Sequence, residues 1–81
     1  MFIHIGEDSY VFKDDIIAIL DKKSMDSTKI SRDFIDNIIK DKCLIGKLDS
    51  HVKSYILVEH ENKTIIYTSN ISSKALANRN I

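Results

Sequence analysis

The longest uninterrupted apolar run in this chain is five residues, Ile16-Ile17-Ala18-Ile19-Leu20. A membrane-spanning helix needs about 20 consecutive apolar residues, so no segment is long enough for one. Every other apolar stretch is shorter, and polar residues separate them all. A core built from such a sequence has to be assembled from many short elements, mostly strands.

Residues 1–5 alternate weakly, with Ile3 and Ile5 on one side and Phe2 and His4 on the other. Gly6-Glu7-Asp8-Ser9 has turn chemistry, and Tyr10-Val11-Phe12 resumes a strand, so the opening is expected to be a β-hairpin. Asp14-Asp15 interrupts before the β-branched run 16–20, which is expected to be a buried strand. Residues 22–26 are polar and loop-like. The clearest helix follows: Ile30, Phe34 and Ile38 repeat at four-residue spacing, with Ile35 and Ile39 in the adjoining row and Ser27, Thr28 or Ser31 as the cap. Burial of those five side chains would contribute about 1.5–3 kcal/mol each, so Ile38→Asp is expected to unfold the domain. Cys43-Leu44-Ile45 is a short apolar run before Gly46, and residues 47–53 are a polar, exposed loop. Tyr55-Ile56-Leu57-Val58 and Thr64-Ile65-Ile66-Tyr67-Thr68 flank a polar connection and form a second hairpin, with Asn62 expected in the left-handed region. Ser69 or Asn70 is expected to cap a short helix over residues 72–78. The order is βββαβββα, an α+β domain with a small antiparallel sheet, one amphipathic central helix and a short C-terminal helix.

At 81 residues the chain is one domain's worth, residues 1–81. A domain near this size buries only about 60–65% of the surface of its unfolded chain, so a lone copy would be marginally stable. With 43% apolar and 30% charged residues it has the composition of a soluble globular protein. Met1-Phe2-Ile3 enters the apolar alternation at once, without a basic segment or cleavage site, which gives a cytoplasmic expectation with no membrane partner. The single Cys43 excludes an internal disulfide, and the two sequons at Asn62 and Asn70 are then chance matches.

No constellation of catalytic or metal-ligating residues stands out. His4, His51 and His60 are far apart and lack paired ligand spacing. Asp14 and Asp15 are adjacent and point apart in a strand, so a turn or helix start suits them better than acid–base chemistry. Cys43 begins an apolar run with no His beside it in sequence, which fits a small buried hydrophobe rather than a nucleophile. Gly6 and Gly46 are the only glycines, too few for a phosphate loop. No enzyme, metal or cofactor is expected.

Charge is the more informative feature. Through Asp41 there are six Lys/Arg against nine Asp/Glu; from Lys42 onward there are six against three. A polyanion would prefer the second half. Lys47, His51 and Lys53 lie in or beside one loop, Lys42 precedes it, and Lys74 and Arg79 lie in the terminal helix. These residues can hold nucleic-acid phosphates, or form an ordinary solvated surface. One copy with so few contacts would bind DNA weakly and lose it readily with salt. Several copies in one assembly would bind by avidity.

The opening MFIHIGEDSYVFKDDIIAILD resembles the small bacterial extracellular matrix regulatory proteins of the RemA/RemB family, the RemB branch most closely. The segment SYILVEHENKTIIYTSNISSKAL is similar to the family's final hairpin and helix. The resemblance implies a cytoplasmic regulator that assembles into rings, binds DNA and activates biofilm matrix genes. It also implies DNA contact by arginines at two places. One cluster falls on residues 48–53, where His51 and Lys53 are the basic residues; a further arginine falls near Asp15, of opposite charge. Ten Lys against two Arg, with 15 isoleucines and no proline, indicate an A+T-rich coding sequence in which Lys readily replaces Arg.

Two functions follow. The first is an oligomeric DNA-binding transcriptional regulator, with Lys47, His51, Lys53, Lys74 and Arg79 contacting phosphates on a repeated basic surface. The second is an oligomerising module that regulates through a protein partner without touching DNA.

Overall fold

The computed structural model describes residues 1–6, 9–41 and 43–79. Strands β1 (Phe2–Gly6) and β2 (Ser9–Phe12) pair antiparallel as the opening hairpin, with Ile3 opposite Val11 and Phe2 opposite Phe12. The residues between them, Glu7 and Asp8, lie outside the described residues. A 3-10 turn over Lys13–Asp15 leads into β3 (Ile16–Asp21), and the chain continues through α1 (Lys22–Asp26), α2 (Lys29–Lys40), β4 (Leu44–Ile45), β5 (Ser54–His60), β6 (Lys63–Ser69) and α3 (Ser73–Arg79).

The fold is α+β, and its strands form two sheets: the β1–β2 hairpin and a four-stranded sheet in the order β3-β5-β6-β4. The small antiparallel sheet expected from the sequence is present, with one parallel pairing added at its edge. β4 runs parallel to β6, because the chain returns through α2 before laying down this two-residue strand.

Strand β5 is the centre of the molecule. Its residues Tyr55, Ile56, Leu57 and Val58 are all buried, because the sheet is covered on both faces. Ile56 and Val58 meet Ile3, Ile5 and Val11 of the hairpin and Leu76 of α3. Tyr55 and Leu57 point the other way, to Ile35 of α2 and Ile66 of β6. The register of β3 on β5 shifts between Ile16 and Ala18. Ile17 is the extra residue of that bulge, which is why Ile16 and Ile19 pack on the hairpin side although three residues apart.

Residues 22–26, expected as loop, are helical. Asp21 accepts a hydrogen bond from the Ser24 N–H at 2.9 Å, and Lys22 pairs with Asp26 one turn later at 2.7 Å. Thr28 caps α2 by accepting from the Ser31 N–H at 3.2 Å. The expected burial of all five apolar residues of α2 is also corrected. Ile35 is 3% exposed and Ile38 and Ile39 are partly buried, whereas Ile30 is 84% and Phe34 45% exposed. At 3.6 residues per turn Ile30 stands roughly 140° around the helix from Ile35, so both cannot face one sheet.

The turn between β5 and β6 has left-handed backbone at Glu61 (φ 50) and Asn62 (φ 65), as a two-residue hairpin of this hand requires. Helix α3 is capped by Ser72, whose hydroxyl accepts from the Ala75 N–H at 3.2 Å, instead of Ser69 or Asn70. Ser69 is otherwise engaged. Its buried hydroxyl donates to the Ile5 carbonyl and accepts from the Ile71 N–H at 3.0 Å, tying β6 to β1. Ser54, its cross-strand partner, donates to the Ile71 carbonyl at 2.7 Å. These bonds fix the end of the sheet from which the basic loop projects.

Candidate nucleic-acid interface

The loop over residues 46–53 is held at both ends. Gly46 has φ 119, and a Cβ there would run into Thr68 Oγ1, so the chain passes β6 at a distance only glycine permits. At the other end the Lys53 N–H donates to the Ser69 carbonyl at 2.8 Å, and the Lys53 carbonyl accepts from the Lys22 N–H at 3.0 Å. Between them Asp49 shapes the turn by accepting from the His51 N–H at 2.9 Å.

Lys47 and His51 line one concavity with Gly6, Ser9, Thr68 and Asn70. Asp49 lines it too, and its carboxylate lies 4.0 Å from His51 Nδ1, so the local charge there is mixed. Val52 turns inward and forms a wall between this concavity and a second. Lys53 lines the second, facing Lys22 and Lys23 of α1 and the hydroxyl-bearing Ser27 and Ser72. Its two carboxylates are occupied: Asp26 by Lys22, and Asp21 by the Ser24 backbone and hydroxyl. The hydrogen bond and charge of Asp26 raise the Lys22 pKa above its ordinary value, keeping that ammonium protonated. Lys23 and Lys53 have no ion-pair partner among the described residues.

Lys74 is exposed in the first turn of α3, two residues beyond Ser72. Arg79 ends the same helix and is directed elsewhere, donating from Nη1 to the His4 carbonyl of β1 at 3.0 Å. The fold therefore places Lys53 beside the start of α3, Lys47 and His51 in the adjoining concavity, and Arg79 against the hairpin. Lys42 lies outside the described residues. Sequence reasoning missed Lys22 and Lys23, which fall in the acidic half of the chain. Their signal was the Lys-Lys pair directly after a strand, where the backbone bond to Lys53 brings the two halves together. Asp15 is also engaged, with Oδ2 3.0 Å from His60 Nδ1.

The described residues contain no group of His, Cys, Asp and Glu arranged to hold a metal ion. None of their helices is long and apolar enough to cross a membrane. What the second concavity presents is three ammonium groups beside two carboxylates and two serine hydroxyls on an open surface.

The family model of extracellular matrix regulatory protein A-like proteins matches residues 2–79. The chain belongs to the RemA-like family. The match spans the hairpin, the central sheet and all three helices, and it is to the RemA-like family as a whole, without separating a RemB branch. No curated protein matches the sequence. The RemA-like family is one of regulatory proteins, named for control of the extracellular matrix, and the lysine-bearing surface is to be understood in that setting.

Proposed function

We propose that this RemA-like chain is a cytoplasmic, homo-oligomeric DNA-binding regulator of biofilm matrix genes that holds the phosphate backbone through a repeated basic surface. The observation that carries this reading is the meeting of Lys53 with Lys22 and Lys23 beside Ser72, where three lysines outnumber two carboxylates, Asp26 being paired with Lys22 and Asp21 hydrogen-bonded by Ser24. Lys74 extends the surface along α3, and Lys47 and His51 extend it across Val52. Lysine neutralises phosphates as a point charge and lacks the fork that reads guanine edges. Sequence preference would then come from DNA shape and from the spacing of contacts around the assembly.

A mobility-shift titration across a salt series tests this, with Lys53→Glu and Lys23→Glu beside the wild type. The expected result is binding that weakens steeply with salt, and a loss of about tenfold or more in each variant. Wild-type affinity in both variants would remove the site assignment.

The second reading, a module that acts through a protein partner, is favoured by two carboxylates. Asp15 stands near a position where the family resemblance implies an arginine, and Asp49 shares the concavity of Lys47 and His51. Absence of DNA binding at low salt would select it.

A further inference from the structure

Strand β5 buries one side chain whose polar end the fold does not use. Tyr55 is 3% exposed and packs among Ile35 of α2, Leu57 and Ile66. Its hydroxyl has no hydrogen-bond partner among the described residues. Buried hydroxyls are ordinarily paired, as those of Ser54 and Ser69 are. Burial, with the charges of Asp26 and Asp36 adding to it, raises the Tyr55 pKa, so at neutral pH the phenol is a donor.

Tyr55 lines a concavity of about 430 Å³ between α2 and the loop over residues 46–53. That volume suits a small ligand, since small-molecule sites run from roughly 300 to 1,000 Å³. The wall is of three kinds. Ile35, Ile39 and Leu48 are apolar, and Leu48 is 51% exposed. Arg32 brings a guanidinium with no ion-pair partner among the described residues, although Asp36 follows one turn later on the same helix. Asp36 is likewise without an ion pair among them, and Asp49 lines the concavity from the loop with Oδ1 bonded to the His51 N–H. Lys22 and Asp26 border it as a couple that neutralises itself at 2.7 Å.

Each kind of wall constrains what can bind. The phenol and the guanidinium call for an acceptor, and a carboxylate serves both, the planar guanidinium pairing with it through two bonds. Asp36 and Asp49 call for a cation. The three apolar side chains call for an aliphatic body. A phosphate would set a double negative charge beside these carboxylates. A simple amine would leave the phenol unserved, and an apolar molecule would leave every polar group unserved. A zwitterion with an aliphatic side chain meets all three demands.

We infer that this concavity binds a free aliphatic α-amino acid, its carboxylate on the Tyr55 hydroxyl and Arg32, its ammonium on Asp36 and Asp49, and its side chain on Ile35, Ile39 and Leu48. The site goes beyond the DNA reading and does not depend on it. Failure of either leaves the other standing.

Titration of the full chain with L-leucine, followed by amide chemical shifts, tests it. Isocaproate, which lacks the ammonium, and isoamylamine, which lacks the carboxylate, are titrated beside it. The wild type is expected to bind L-leucine saturably with a Kd of about 1 mM or tighter. Each truncated analogue is expected to bind about tenfold or more weakly. Tyr55→Phe removes one oxygen and keeps the ring, and Arg32→Gln alters an exposed position. Either is expected to weaken L-leucine by about tenfold or more. Circular dichroism checks folding, and Arg32→Gln carries the test if Tyr55→Phe does not fold. The assignment is overturned by no saturable shift with L-leucine up to about 10 mM, by unchanged affinity in a folded variant, or by an analogue that binds as tightly as L-leucine.

Discussion

Ser69 is a small residue on which several parts of the fold depend. It is 3% exposed, and its hydroxyl serves two backbone groups: the Ile5 carbonyl and the Ile71 N–H. Ile5 lies where the β1–β2 register shifts, so the hydroxyl ties β6 to an irregular point of the hairpin. Ser69→Ala leaves a buried acceptor and a partly buried donor without that partner. A stranded buried group costs about 1–3 kcal/mol, so the pair should cost about 2–4 kcal/mol, the half-exposed Ile71 N–H taking the smaller share. Against a total stability of roughly 5–15 kcal/mol this is a large fraction. For a domain of this size it lowers Tm by about 10–25 °C. Ser54→Ala removes only the bond to the Ile71 carbonyl and should cost about half as much. Both serines converge on Ile71, so the double variant should lose less than the sum by about 0.5 kcal/mol or more. Urea denaturation followed by circular dichroism measures all three. A Ser69→Ala protein within about 0.5 kcal/mol of wild type would refute the claim that this hydroxyl holds β1 to the sheet.

Further outcomes follow from packing, backbone and charge. Ile35→Ala should cost about 2–5 kcal/mol by opening a cavity against Tyr55 and Leu57, whereas Ile30→Ala should change the stability of a dilute, unassembled chain by less than about 0.5 kcal/mol; chemical denaturation separates them. Gly46→Ala combines a positive φ with a Cβ driven against Thr68, so it should destabilise by about 1–3 kcal/mol from backbone strain alone; Thr68→Ala should recover only the clash, as a melting series would reveal. Burial, with the Asp26 charge adding to it, raises the Tyr55 phenol above its ordinary value, and Asp26 likewise raises Lys22. A raised folded-state pKa favours the folded protein below the unfolded value and loses that advantage as pH rises, so stability should fall from about pH 10 upward. Tyr55→Phe should flatten that decline in denaturation curves collected from pH 8 to 11.

The parts of the fold that were legible in the sequence are those in which local chemistry and tertiary packing agree. The second hairpin could be read because β-branched runs flank Asn62, a residue that tolerates left-handed backbone. Helix α2 could be read because its apolar residues recur with helical spacing. Its buried face could not, since five apolar positions spread over more of the helix than one sheet can cover, and only the sheet decides between Ile35 and Ile30. Helix α1 has a single apolar residue facing the core, Met25, and is made by a cap and an ion pair, so periodicity had nothing to detect. The two residues of β4 carry no signal of strand direction. At the candidate site, charge counting along the chain singled out Lys53 and passed over Lys22 and Lys23, because the bond that joins Lys22 to Lys53 spans about thirty residues of sequence.

The reading as a whole makes many weak phosphate contacts act together through assembly. The direct test is the DNA affinity of the wild type, at one fixed near-physiological salt, titrated from concentrations at which light scattering finds single copies to those at which it finds an assembly. Avidity predicts that the assembled form binds about 100-fold or more tightly than the single copy. Equal affinity of the two forms would contradict it.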